Sequence, residues 1–156
     1  MARRGDDAPE VGPLTGPEEA AWRAIVRALV VLPRIVEGDL VASSGLNIAD
    51  YTVLANLSER PDRSMRMSEL AIQVALSSSG LTRLVDRLVR LGAVERVRAE
   101  QDGRGQVARL TEAGLQRLVE AYPDHVESVR RRVLDHFDGV DLEALARALN
   151  AIGLED

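Results

Sequence analysis

Apolar residues recur along most of the chain at intervals of three and four, the spacing that gathers them on one face of a helix. Trp22, Ile25, Val26, Leu29, Val30, Leu32, Ile35, Val36, Leu40 and Val41 form the first such stripe, which closes at Ser43-Ser44-Gly45. Thr15 followed by Glu18 has the form of a capping box, and Pro17 falls in the first turn, where a missing N–H is harmless. Pro33 lies inside the stripe and predicts a kink. A second helix starts at the cap residue Asn47, with Asp50 three residues on, buries Tyr51, Leu54 and Leu57, and stops at Arg60-Pro61-Asp62. A short third helix from Ser68 contributes Leu70, Ala71 and Val74. After the turn Leu76-Ser77-Ser78, a fourth repeats Leu81, Leu84, Val85, Leu88 and Leu91 and is closed by Gly92.

From Gly92 the period changes. Glu95-Arg96-Val97-Arg98-Ala99 and Gln106-Val107-Ala108-Arg109-Leu110 alternate as two strands, and Asp102-Gly103-Arg104-Gly105 between them reads as a tight turn that presents Arg104 outward, as in the wing of a winged helix. Thr111 then opens a long helix with the stripe Leu115, Leu118, Val119, Tyr122, Val126, Val129, Val133 and Phe137, bent at Pro123. A last helix from about Asp141 carries Leu142, Leu145, Leu149 and Ile152. The prediction is a mainly α fold with a small two- to three-stranded β-wing: a winged helix-turn-helix lobe plus a helical dimerisation region. The apolar faces of the first and last two helices exceed what so small a lobe must bury, which predicts a second subunit.

Composition sharpens this picture. The chain has 156 residues, one Phe, one Trp and two Tyr, so its core is aliphatic and suits helices. It contains no Cys, which removes disulfides, thiol switches and zinc-thiolate sites. Residues 1–16 mix Gly, Pro and acids without periodicity and are expected to be disordered. Residues 17–154 are expected to form a single domain, with dimerisation helices at about 17–42 and 111–154 and the lobe at about 46–110. The N-terminus has no apolar leader, and no apolar run approaches the roughly 20 residues of a membrane span; a cytoplasmic protein is expected.

The net charge of -5 is unevenly spread. Between Ser77 and Leu110 seven Arg face four acids, and all the basic residues of the chain are Arg. The outer face of the fourth helix carries Ser79, Thr82, Arg83, Asp86, Arg87 and Arg90. Alone, such a face is a solvated surface laced by pairs such as Asp86 with Arg90. Behind a tight turn and ahead of an Arg-tipped ribbon, it suits a DNA groove instead. Ser78, Ser79, Thr82, Arg83 and Arg87, with Arg98 and Arg104 of the ribbon, are the candidate DNA contacts.

The order of elements and several of their residues resemble the MarR family of bacterial winged-helix regulators. The resemblance rests on Leu46 to Leu57 (LNIADYTVLANL), Met67-Ser68-Glu69-Leu70-Ala71, Leu81 to Leu88 (LTRLVDRL), and Gly92 to Thr111, closed by Gly114. Its most specific part is Asp102 and Arg104 followed by Leu110-Thr111, placed after Gly92 and Arg96. The resemblance implies a homodimer interlocked by the first, fifth and sixth helices, with the fourth helix in the major groove and Arg104 in the minor groove. Asp102 would be wing-orienting, holding Arg104 or pairing with Arg98. Gly103 and Val97 stand where the family frequently has basic residues, which implies fewer wing contacts. A small anionic or phenolic ligand in the cleft beside the lobe is also implied, bordered by Trp22, Tyr51, Arg66, Tyr122 and His125. Packing also explains each of these, and Arg66 could pair with Glu69.

The reading is a ligand-responsive repressor that binds a pseudo-palindromic operator as a homodimer. Its alternative is a helical dimeric ligand-binding or protein-interaction module that does not read DNA. The basic segment and Arg104 favour the former. His125 and His136 lie eleven residues apart, about 16 Å along one helix face, too far to share a metal. No metal, cofactor or enzyme activity is expected: there is no G-x-S-x-G, no phosphate-cradling glycine loop and no H-E-x-x-H, and Ser77-Ser78-Ser79 reads as a turn and cap.

Overall fold

A computed structural model describes residues 12–98 and 105–152. The chain divides into two compact units, residues 1–31 and 32–156, and the division falls within the first helix, α1 (Gly16–Ser44). In the first unit the capping box is complete: Thr15 N and Oγ1 each donate to Glu18 Oε2 at 2.7 Å, and Glu18 N donates to Thr15 Oγ1 at 3.5 Å. The stripe residues Trp22, Val26, Leu29 and Val30 are exposed.

The second unit begins with the end of α1, where Val36 and Leu40 are buried. There follow α2 (Ile48–Ser58), β1 (Ser64–Arg66), α3 (Met67–Gln73), α4 (Ser78–Arg90), β2 (Val94–Arg98), β3 (Gln106–Leu110), α5 (Glu112–Arg132), a short 3-10 helix (Leu134–His136) and α6 (Leu142–Asn150). Side-chain oxygens accept from one or two of the free N–H groups at four helix starts of this unit, with Asn47, Ser77, Thr111 and Asp141 as the caps. The strands form an antiparallel sheet in the order β1-β3-β2, with Val94 opposite Leu110 and Arg98 opposite Gln106. Ala108 and Leu110 of β3 face inward and close a core built on Leu54, Leu57, Leu70, Leu81, Val85 and Leu88.

Several expected elements end differently. Met67, rather than Ser68, begins α3. Gly92 has φ +69, and the amides of Gly92 and Ala93 donate to the carbonyls of Val89 and Leu88, each at 2.9 Å. This left-handed stop leaves Leu91 at the cap, 44% exposed, so the buried stripe ends at Leu88. The fifth helix does not run to Phe137; it stops at Arg132, because Val133 leaves helical geometry at φ -129. His136 therefore lies in the 3-10 helix, and the two histidines do not share a helix face. On α5, Leu118, Ala121 and Ser128 face inward, while Val119 and Tyr122 of the expected stripe are exposed, as are Leu142 and Leu149 of α6.

Candidate nucleic-acid interface

Helix α4 owes its orientation to a buried Leu/Val stripe, and that stripe turns Ser78, Ser79, Thr82 and Arg83 toward solvent. Its start is fixed by Ser77, whose Oγ accepts from Gly80 N at 3.1 Å. The preceding turn is tight because Ala75 adopts a left-handed conformation, φ 51, from which Leu76 N reaches Ala71 O at 2.9 Å.

Arg87, on the same helix, is only half exposed, and its guanidinium is committed to Asp50 of α2. Asp50 is 1% exposed, at the first inward position of α2. Burial raises its pKa, against the opposing attraction of Arg87. The structure thus gives Arg87 an internal partner, which fastens the fourth helix to the second. Asp86 does not pair with Arg90 through its carboxylate; Arg90 Nε donates to the Asp86 main-chain oxygen at 3.4 Å. The Asp86 carboxylate lies 2.9 Å from the guanidinium of Arg96 on β2. Arg96 also donates to Thr82 O and to Gln106 Oε1, both at 3.1 Å. One guanidinium therefore joins α4 to both ribbon strands. Arg98 is exposed at the end of β2, and Val97 pairs with Val107 across the ribbon. Asp102, Gly103 and Arg104 lie outside the described residues.

A cavity of about 520 Å³ opens between α2 and α5, lined by Tyr51, Ala55, Leu118, Tyr122, His125 and Val126 and rimmed by Glu59 and Arg130. Tyr51 and His125 pack with ring centroids 4.2 Å apart. Burial lowers the pKa of His125, and its Nδ1 is buried without a hydrogen-bond partner. Three of the five expected ligand-cleft residues, Tyr51, Tyr122 and His125, thus share one cavity. Trp22 and Arg66 do not line it: Trp22 borders a groove in the first unit with Val26 and Val30. Glu69, the suggested partner of Arg66, is paired with Arg60. Among the described residues no three His, Cys, Asp or Glu side chains are placed to hold a metal ion, and no helix is long and apolar enough to cross a membrane.

A second polar cluster ties the end of α1 to α5. Asp39 accepts from Ser128 Oγ at 2.7 Å, from Arg132 Nε and Nη2 at 3.1 and 3.2 Å, and from Arg131 at 3.3 Å. Chiefly through Arg132 and Ser128, these bonds hold the Asp39 carboxyl at about 2, below its ordinary 3.8. A depressed carboxyl stabilises the fold above its unfolded pKa, and that contribution is lost as pH falls through the folded value. Asp39→Asn is accordingly expected to remove part of the stability lost between about pH 4 and pH 2 in wild type. Acid titrations of the two proteins that superimpose would contradict this role.

Asp50, Asp39 and Ser128 escaped sequence reasoning as site-forming residues, whereas Arg96 entered it as part of the family pattern after Gly92. Of those three, only Asp50 carried a readable signal, since it precedes Leu54 and Leu57 at i+4 and i+7 and so shares their buried face.

The MarR family model matches residues 44–105, the stretch from the end of α1 to the ribbon. Among solved structures, AbsC, a MarR family transcriptional regulator from Streptomyces coelicolor, is 38% identical, with 89% of this chain and 93% of that chain covered and a TM-score of 0.81. Sco3205, a MarR family transcriptional regulator from the same organism solved in complex with DNA, is 32% identical over 92% of this chain and 89% of its own, with a TM-score of 0.84. The transcriptional repressor MprA of Escherichia coli (strain K12) is 27% identical over 130 residues, covering 69% of this chain and 74% of its own. The likeness to AbsC and Sco3205 extends well beyond the lobe into the flanking helices, and on that ground the chain belongs to the MarR family of transcriptional regulators.

Proposed function

We propose that the protein is a homodimeric, ligand-responsive repressor that binds a pseudo-palindromic operator. The observation that carries this reading is the exposed Ser78, Ser79, Thr82 and Arg83 face of α4, beside a ribbon that Arg96 fastens to it. The DNA complex of Sco3205 supports it. Helix α4 enters the major groove, where Arg83 reads base edges and Ser78, Ser79 and Thr82 contact bases or phosphates. Arg98 and Arg104 reach the backbone and the minor groove from the ribbon, and Asp102 orients the wing. Arg87 acts by holding α4 on Asp50. Trp22 and Leu29 of α1 and, separately, Leu142 and Leu149 of α6 are exposed in the single chain, and each set supplies apolar surface for a second subunit. Residues 17 to 154 act as a single domain.

The inducing ligand occupies the cavity between α2 and α5, where apolar walls suit an aromatic body and Arg130 suits an anionic group. A cytoplasmic, non-enzymatic role fits this reading.

Two substitutions separate the contacts. Arg104→Ala is expected to cost roughly 1 to 3 kcal/mol of operator binding, measured by fluorescence anisotropy. Undiminished affinity would remove the wing from the interface. Arg83→Ala is expected to weaken binding and relax base preference together. Uniform weakening across all sequences would make Arg83 a phosphate clamp instead.

A further inference from the structure

One hydroxyl joins two helix ends. Thr111 Oγ1 accepts from Gly114 N at 3.0 Å, which caps α5, and donates to the carbonyl of Gly92 at 2.6 Å, just past the end of α4. The Thr111 amide donates to Ala93 O at 3.1 Å. Gly92 and Ala93 are themselves bonded back to Val89 and Leu88. An unbroken series of hydrogen bonds thus runs from the last turn of α4 into the first turn of α5. The joint is short, because the hydroxyl sits one bond from Cβ and is engaged on both sides. The other end of α5 is anchored to α1 through Asp39.

We propose that Thr111 is a positioning residue for operator reading. By locking the C-terminus of α4 to the N-terminus of α5, it fixes the angle between the reading helix and the dimerisation helix, and so the spacing of half-sites that a dimer accepts. This rests on the dimeric operator-binding reading above. The ribbon contacts of Arg96 orient α4 against β2 and β3, whereas Thr111 orients it against α5.

The cap and the bridge can be separated. Thr111→Ser retains both bonds. Thr111→Asp keeps an acceptor for Gly114 N, but its ionised carboxylate has no proton to give Gly92. Thr111→Gly, a tolerable cap without any hydroxyl, serves as a second bridge-less variant in case the Asp substitution does not fold. Thermal unfolding identifies the folded variants. Each is then titrated with a duplex that the wild-type chain has selected from a random library, resynthesised with its half-sites moved apart or together one base pair at a time. Wild type and Thr111→Ser are expected to share one optimum. The bridge-less variants are expected to lose about fivefold in the preference for that optimum over its neighbours, the worth of one hydrogen bond. A bridge-less variant that folds and keeps the wild-type preference overturns the proposal, as does an equal loss in Thr111→Ser. Failure of wild type to bind any duplex overturns the operator-binding reading itself, and the two failures are distinguishable.

Discussion

Replacing Gly114 with alanine is expected to destabilise the protein by about 3 kcal/mol, the upper range for overpacking a closed site. A Cβ at this position would stand 2.9 Å from the Ala93 carbonyl carbon, closer still to its oxygen, and 2.8 Å from Leu110 Cδ1. Two of these atoms are backbone, so no side-chain rotation relieves the clash. The Ala93 carbonyl also accepts from Thr111 N, so pushing it aside breaks the bond that seats α5. For a chain of this length the melting temperature should fall by roughly 6 to 12 °C. A Gly114→Ala protein that melts within a degree of wild type would show that α5 does not sit on the Gly92–Ala93 loop as described.

Arg87→Ala is the second large effect, expected at about 3 kcal/mol because it leaves the Asp50 carboxylate buried without its cation. The partial exposure of Arg87 places the value at the low end of the range for broken buried pairs. The pH dependence has a definite sign. Burial already raises the pKa of Asp50, and loss of Arg87 raises it further. A carboxyl whose folded pKa exceeds its unfolded value binds more protons when folded, so stability falls as pH rises through that interval. The deficit of Arg87→Ala should therefore be smallest in acid and complete above the folded pKa. Asp50→Leu combined with Arg87→Met should recover most of the loss. Urea denaturation across pH measures both, and a deficit independent of pH would contradict the assignment of the unpaired charge to Asp50.

Where local chemistry decides the structure, the chain was legible. The Thr15–Glu18 box, the Asn47 cap, the helix opening at Thr111, the Gly92 stop and the pairing of β2 with β3 formed as their residues indicated, with β2 starting one residue early at Val94. Local rules reached less far where long-range contacts decide. Val133 and Phe137 continue an apolar period, yet the backbone departs from helix at Val133, which periodicity does not register. Asp86 had Arg90 at helical spacing, but Arg96, ten residues on and brought close by the fold, takes its carboxylate. Arg87 looked like part of an outward cationic face because its partner lies on another helix, 37 residues away. Of the ligand-cleft residues, Tyr51, Tyr122 and His125 converge on one cavity, a meeting of α2 with α5 that follows from the fold rather than from spacing within either helix.

We propose that this chain reads DNA through α4 and its ribbon. The most direct test is a salt titration of its binding to duplex DNA from upstream of its own gene. At the roughly six to ten phosphate contacts typical of such interfaces, log K should fall against log salt with a slope of about -5 to -9. Binding that is absent, or that is indifferent to salt, would contradict the claim.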